Sequence, residues 1–90
     1  MSQDLTTLRE QISTLDAGIL ALLDERMRLA VKIGEYKQDN KIEVLDSNRE
    51  QSLLQQLIKK NETTIIPDEK LLEIWGKILE TSRGIQKKGD

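Results

Sequence analysis

Apolar residues recur along the first part of the chain in alternating steps of three and four: Leu5, Leu8, Ile12, Leu15, Ile19 and Leu22. The same phase runs on through Arg26 to Leu29, Ile33 and Tyr36. A stripe held at this spacing, with no proline to break it, predicts one continuous amphipathic helix over about residues 4–38. Gly18 and Gly34 weaken it slightly without shifting its phase. Residues 39–45 carry no such pattern and are predicted to be a loop. The run Ser47-Asn48-Arg49-Glu50 fits a capping box, so a second helix should start at Asp46 or Ser47 and extend to about residue 60. Its apolar side is Leu53, Leu54, Leu57 and Ile58. Pro67 suits the opening of a third helix, over about 67–86, with a stripe of Leu72, Trp75 and Leu79 that continues in phase through Ser82 and Gln86. Gly84 marks a point where this helix could end early, and 87–90 is expected to be a frayed tail.

The pattern therefore predicts an all-α chain of three helices with a very long first one, forming a single domain over residues 1–90. At 1.5 Å per residue the first helix would be roughly 50 Å long, whereas a compact chain of this length has a radius of gyration of only about 12 Å. Such a helix overhangs its own subunit and calls for a partner along its length. A homodimer is the expected assembly, the more so because the chain has no Cys for disulfides and neither Cys nor His for a zinc site.

Composition narrows the chemistry. Without His or Cys there is no Ser-His triad, no thiol nucleophile and no imidazole acid or base. Catalysis, if present, rests on Lys, Arg, Asp, Glu, Ser, Gln and the backbone. The net charge is −2, with 14 basic and 16 acidic residues interspersed and Tyr36 and Trp75 as the sole aromatics, which argues against nucleic acid as a partner. Neither a signal-like start at Met1-Ser2-Gln3-Asp4 nor an apolar run of about 20 residues is present, so no membrane partner and a cytoplasmic location are expected.

Polar residues occupy positions where a core would be apolar. Arg26 lies on the seam of the long helix, where burial is costly unless something pairs with it. Lys37 follows after about three turns at nearly the same angle, roughly 16 Å along the axis, so the two long side chains can converge on one small anion. Arg49, in the first turn of the second helix, is a third candidate cation, and Ser82 and Gln86 extend a core stripe with hydrogen-bonding groups. Each has a plain structural explanation as well. Arg26 could set dimer register through a carboxylate, and Lys37 could simply complement a helix C-terminus. Asp46 and Glu50 could serve only as caps, and Ser82 and Gln86 could mark where the bundle opens to water. Their shared phase favours a cationic ligand pocket inside a helical bundle.

The order of these segments resembles the all-helical (AroQ-type) chorismate mutases. The resemblance is carried by Leu8-Arg9-Glu10-Gln11-Ile12-Ser13-Thr14-Leu15-Asp16, Leu22-Leu23-Asp24-Glu25-Arg26 and Leu29-Ala30-Val31-Lys32-Ile33-Gly34-Glu35-Tyr36-Lys37. It continues in Asp46-Ser47-Asn48-Arg49-Glu50 and Glu80-Thr81-Ser82-Arg83-Gly84-Ile85-Gln86. It implies an interlocked helical-bundle homodimer that converts chorismate to prephenate with no cofactor and no metal. Arg26, and Arg9 from the other subunit, would bind substrate carboxylates, helped by Arg49 and Ser82. Lys37 and Gln86 would meet the ether oxygen, while Glu50 and Asp46 would meet the ring hydroxyl.

A pericyclic rearrangement suits a chain lacking His and Cys, because it needs no proton transfer and no covalent intermediate. Two other readings compete: an isochorismate pyruvate lyase, which shares the fold and most of the cationic pocket, and a non-catalytic helical dimerisation or regulatory module. Glu50, aimed at the chorismate hydroxyl, favours the mutase over the lyase. A pure packing role would require none of Arg9, Arg26, Lys37, Arg49, Glu50 and Gln86.

Overall fold

The computed structural model describes residues 4–87, and among these the chain is all-helical. Helix α1 spans Leu5–Asp39, α2 spans Ser47–Lys60 and α3 spans Asp68–Lys87, with a single 3-10 turn at Asn61–Thr63 after α2. The first three residues, and the expected tail apart from Lys87, lie outside the described residues.

Each helix starts where a local acceptor satisfies its free N–H groups. Asp4 caps α1 by accepting from the Thr7 N–H at 2.8 Å. Asp46 caps α2 by accepting from the Arg49 N–H at 3.0 Å. The expected capping box is therefore not formed: Ser47 lies inside the helix rather than at its cap, and Glu50 turns away toward α3. An aspartate one residue upstream supplies a charged acceptor to the helix N-terminus, where the macrodipole favours it. At α3 the Pro67 carbonyl accepts from Lys70 and Leu71 N–H, each at 3.0 Å.

The turn between α2 and α3 is held by Asn61, which is buried. Its amide donates to the Ile66 carbonyl at 2.7 Å and to Asp68 Oδ1 at 2.8 Å, and its Oδ1 accepts from the Thr64 hydroxyl. A buried side-chain amide with these partners is itself satisfied, pairs the Ile66 carbonyl, and ties the turn to the first residue of α3.

Helix α3 lies against the C-terminal half of α1, and α2 rests on α3. The buried apolar core among the described residues is small: Ala30 from α1 and Leu71 and Leu79 from α3. The inward face of α3 is turned slightly from the expected stripe, with Leu71 buried and Leu72 half-buried. Along α1 the departure is larger. Leu5, Leu8, Ile12, Leu15, Ile19, Leu20 and Leu22 are all between 42 and 69 % exposed. The molecule measures 59 × 26 × 15 Å with a radius of gyration of 16.7 Å, well above the roughly 12 Å of a compact chain this long. No helix among the described residues is long and apolar enough to cross a membrane.

Candidate active site

Gly34 decides how closely α3 approaches α1. A Cβ placed on it would stand 2.6 Å from the Gln86 carbonyl oxygen and 2.7 Å from the Gln86 Cα. With Ala30 one turn earlier, also buried, it forms a small-residue strip on which the last turns of α3 sit. Glycine here is a packing requirement, not only the slight weakening of α1 that propensity suggests. Gly84 does not end α3, which continues through Lys87. The packing of Gln86 on Gly34 supports the last turn and outweighs the propensity cost of one glycine, about 1 kcal/mol.

The C-terminus of α1 then folds back over the same place. Lys41 takes a left-handed conformation with φ 56°, its N–H donates to the Gln38 carbonyl at 3.3 Å, and the Ile42 N–H donates to the Lys37 carbonyl at 2.8 Å. This is a Schellman ending, with lysine where glycine is the usual choice. It reverses the chain so that the Val44 carbonyl meets the Lys37 side chain. The Lys37 ammonium donates to Val44 O at 2.7 Å and to Gln86 Oε1 at 2.9 Å. An ammonium has three protons, so one remains for a ligand. Gln86 presents its oxygen to Lys37, so its Nε2 is turned toward Ser82 Oγ, at 3.3 Å, with its second N–H unused. Lysine, loop and glutamine fix one another.

These groups form one wall of a cavity of about 450 Å³ between the three helices and the 39–45 loop. Arg26 and Lys37 reach it from α1, Asp46, Arg49 and Glu50 from the start of α2, and Ser82, Arg83 and Gln86 from α3. Leu29, Ile33, Leu53 and Leu79 supply apolar floor. Four cations face two carboxylates, which leaves the lining with two positive charges in excess. Among the described residues neither Arg26 nor Arg49 is in an ion pair, whereas Glu50 is bound by Arg83, whose Nη1 donates to both carboxylate oxygens at 2.6 and 2.7 Å. A half-enclosed, cationic pocket with two unpaired guanidinium groups is built for a small polyanion.

The chorismate mutase type II family model matches residues 8–87. This chain belongs to the chorismate mutase type II family. It is 30 % identical over 89 residues to a bifunctional chorismate mutase/prephenate dehydratase of Aquifex aeolicus (strain VF5), a match covering 96 % of this chain and 25 % of that protein. Over 54 residues, 60 % of this chain and 14 % of the relative, it is 50 % identical to the bifunctional chorismate mutase/prephenate dehydratase of Escherichia coli (strain K12). It is 29 % identical over 82 residues to the T-protein of Enterobacter agglomerans, covering 91 % of this chain and 22 % of that protein. The chain thus spans about a quarter or less of the length of these curated relatives.

Within this chorismate mutase type II domain, Arg26, Lys37, Asp46, Arg49, Glu50, Ser82 and Gln86 come together around one cavity. Arg9 is not among the lining residues and stands exposed far along α1. Sequence reasoning passed over Arg83. It sits beside Ser82 and three residues before Gln86, so its phase alone could have marked it as a neighbour of the pocket. Its partner Glu50, 33 residues away in the chain, could not be read that way.

Proposed function

We propose that this chain catalyses the rearrangement of chorismate to prephenate, an isomerase reaction of phenylalanine and tyrosine biosynthesis, in the cytoplasm and with no cofactor or metal. The observation that carries the reading is the convergence of Lys37 and Gln86 on one wall of a cavity that also holds unpaired Arg26 and Arg49. Chorismate is a dianion, and its two carboxylates match the two excess positive charges of the lining. Arg26 and Arg49 bind carboxylates, with the Ser82 hydroxyl assisting at one of them. Glu50 and Asp46 accept from or orient the ring hydroxyl.

The rearrangement breaks the ether C–O bond while a C–C bond forms, and negative charge grows on the ether oxygen. The free proton of Lys37 and the amide N–H of Gln86 are donors fixed before the substrate arrives, so little reorganisation is needed when that charge develops. The pocket also holds the flexible enolpyruvyl chain over the ring, which removes much of the entropy barrier. A millionfold acceleration requires about 8 kcal/mol, within reach of these two effects together.

The working unit in this reading is an interlocked homodimer. The stripe from Leu5 to Leu22 is exposed in one chain, and covering it would contribute on the order of 10 kcal/mol of gross hydrophobic stabilisation. Arg9 lies about 25 Å along α1 from Arg26, too far to serve its own pocket. The partner subunit's Arg9 completes each site across antiparallel α1 helices. The domain occupies the whole chain, residues 1–90.

The test is loss of chorismate absorbance with purified protein, followed by identification of the product. Prephenate formation supports the reading. Cleavage of isochorismate to pyruvate without action on chorismate would make the protein a lyase, and inertness toward both would make it a non-catalytic module.

A further inference from the structure

Glu50 presents a difficulty for a pocket that must attract a dianion. Its carboxylate is on the lining, only 23 % exposed, one residue from Arg49 and across the cavity wall from Arg26 and Lys37. A loose carboxylate in that position would be free to pair with other cations of the same lining, and those are the ones the substrate needs. Arg83 prevents this. Its Nη1 bridges both Glu50 oxygens from α3, and the two side chains are together mostly shielded from water. The carboxylate has about four lone-pair positions. Two are taken by Arg83, leaving capacity for a hydroxyl donor.

We propose that Arg83 is a positioning residue that sequesters the Glu50 carboxylate, keeping it off the substrate-binding arginines while leaving it able to accept the ring hydroxyl. This rests on the chorismate reading above. It assigns Arg83 no contact with the substrate: its effect is transmitted through Glu50 alone. The same pair also ties α2 to α3, so the experiment must separate substrate binding from a simple strut.

Arg83→Met retains the aliphatic stem that packs on the pocket wall and removes the guanidinium. It should raise KM for chorismate about tenfold, the cost of one competing ion pair at a partly shielded site, with kcat within about threefold of the parent. In a Glu50→Gln background the carboxylate that Arg83 holds is gone, while Asp46 stays engaged as the α2 cap, and adding Arg83→Met should then change KM by no more than about threefold. Arg83→Lys, which keeps the charge on a shorter side chain without the planar guanidinium, should fall between parent and Arg83→Met. Equal KM penalties in both backgrounds would mean that Arg83 touches the substrate itself and would overturn the proposal. So would an Arg83→Met protein with a lowered melting temperature and an unchanged KM, which makes the pair a strut. A parent protein inactive on chorismate defeats the functional reading instead, and that is seen before any variant is made.

Discussion

The two halves of α1 share one helical phase and both leave large apolar side chains exposed, yet only the second half packs against α3, through Ala30 and Gly34. From Leu5 to Leu22 the stripe is leucine and isoleucine, and every member is exposed. From Arg26 to Lys37 the helix carries a cation, two small residues and another cation, and here α3 packs and the cavity forms. Bulky apolar side chains mark a surface that can meet another helix across a wide, non-polar seam. Ala30 and Gly34 allow a backbone approach so close that a single methyl group would not fit. One helix thus carries two kinds of surface: an extended exposed apolar face, and a short close-packed one that positions Gln86 against Lys37. The first suits assembly, the second geometry.

The sharpest way to break this comparison is at the site itself. Lys37→Ala should lower turnover by about 10² to 10³, the usual loss when one preorganised donor to a developing oxyanion is removed, with a stability loss of no more than about 1–3 kcal/mol from the acceptors it leaves unpaired. If the N-terminal half serves the partner's site, Arg9→Ala should be nearly inactive as well. Unfolding the two variants together and refolding the mixture should then restore roughly a quarter of the sites, because half the dimers are mixed and each mixed dimer has one intact site. A mixture as inactive as its parents would confine Arg9 to its own subunit.

Next in size is the exposed apolar face. Leu15→Lys places a charge in the middle of the exposed stripe and should weaken self-association by a few kcal/mol, in the range of losing one buried leucine. Ultracentrifugation should show the parent at twice the chain mass and the variant shifted toward monomer, with unfolding that depends on protein concentration. A parent that is monomeric and stably folded would remove the assembly role from this half.

Gly34→Ala tests the close-packed half. Forcing a methyl group against the Gln86 backbone should cost about 1–3 kcal/mol of stability and should lower turnover further than the stability loss explains, because Gln86 is pushed from Lys37. Denaturant melts and kinetics on the same preparation check it. A variant that melts and turns over like the parent would show that α3 does not approach so closely.

The smallest effect belongs to the cap of the bare half. The Thr7 backbone N–H, and then the Thr7 side chain, hydrogen-bond the Asp4 carboxylate and hold its pKa below the usual value. A depressed folded pKa contributes stability that is present above the unfolded value and is lost as pH falls through the folded one. Helical circular dichroism should therefore show slight fraying of the start of α1 below about pH 4. Asp4→Asn, which keeps an acceptor but does not titrate there, should not show that component.

Much of the site was legible because helical phase is local. Arg26, Lys37, Ser82 and Gln86 stood out as polar members of apolar stripes, and all of them line the cavity. The readings that failed depended on a competitor elsewhere. Glu50 looked like the far end of a capping box, but Asp46 is the stronger cap and Arg83 offers Glu50 a charged partner on another helix. At Gly84 the expected helix over about 67–86 could have ended early, and the packing of Gln86 on Gly34 is what carries α3 past it, as its stripe predicts. Lys41 gave no sign of a left-handed residue, because the return of the loop to Lys37 is what holds it there.

What the sequence determines by itself is the set of three helices, the unbroken phase of the first, and a chemistry without imidazole or thiol, confined to Lys, Arg, Asp, Glu, Ser, Gln and the backbone. These follow from interactions within a few residues of each other and from side-chain inventory. Only the tertiary structure decides which face of each helix is buried, that Gly34 is a contact rather than a weakness, and that Glu50 answers to Arg83. Those outcomes depend on groups far apart in the chain competing for the same partner. Such competition is settled by distance and burial once the helices pack, and neither quantity exists along a one-dimensional chain.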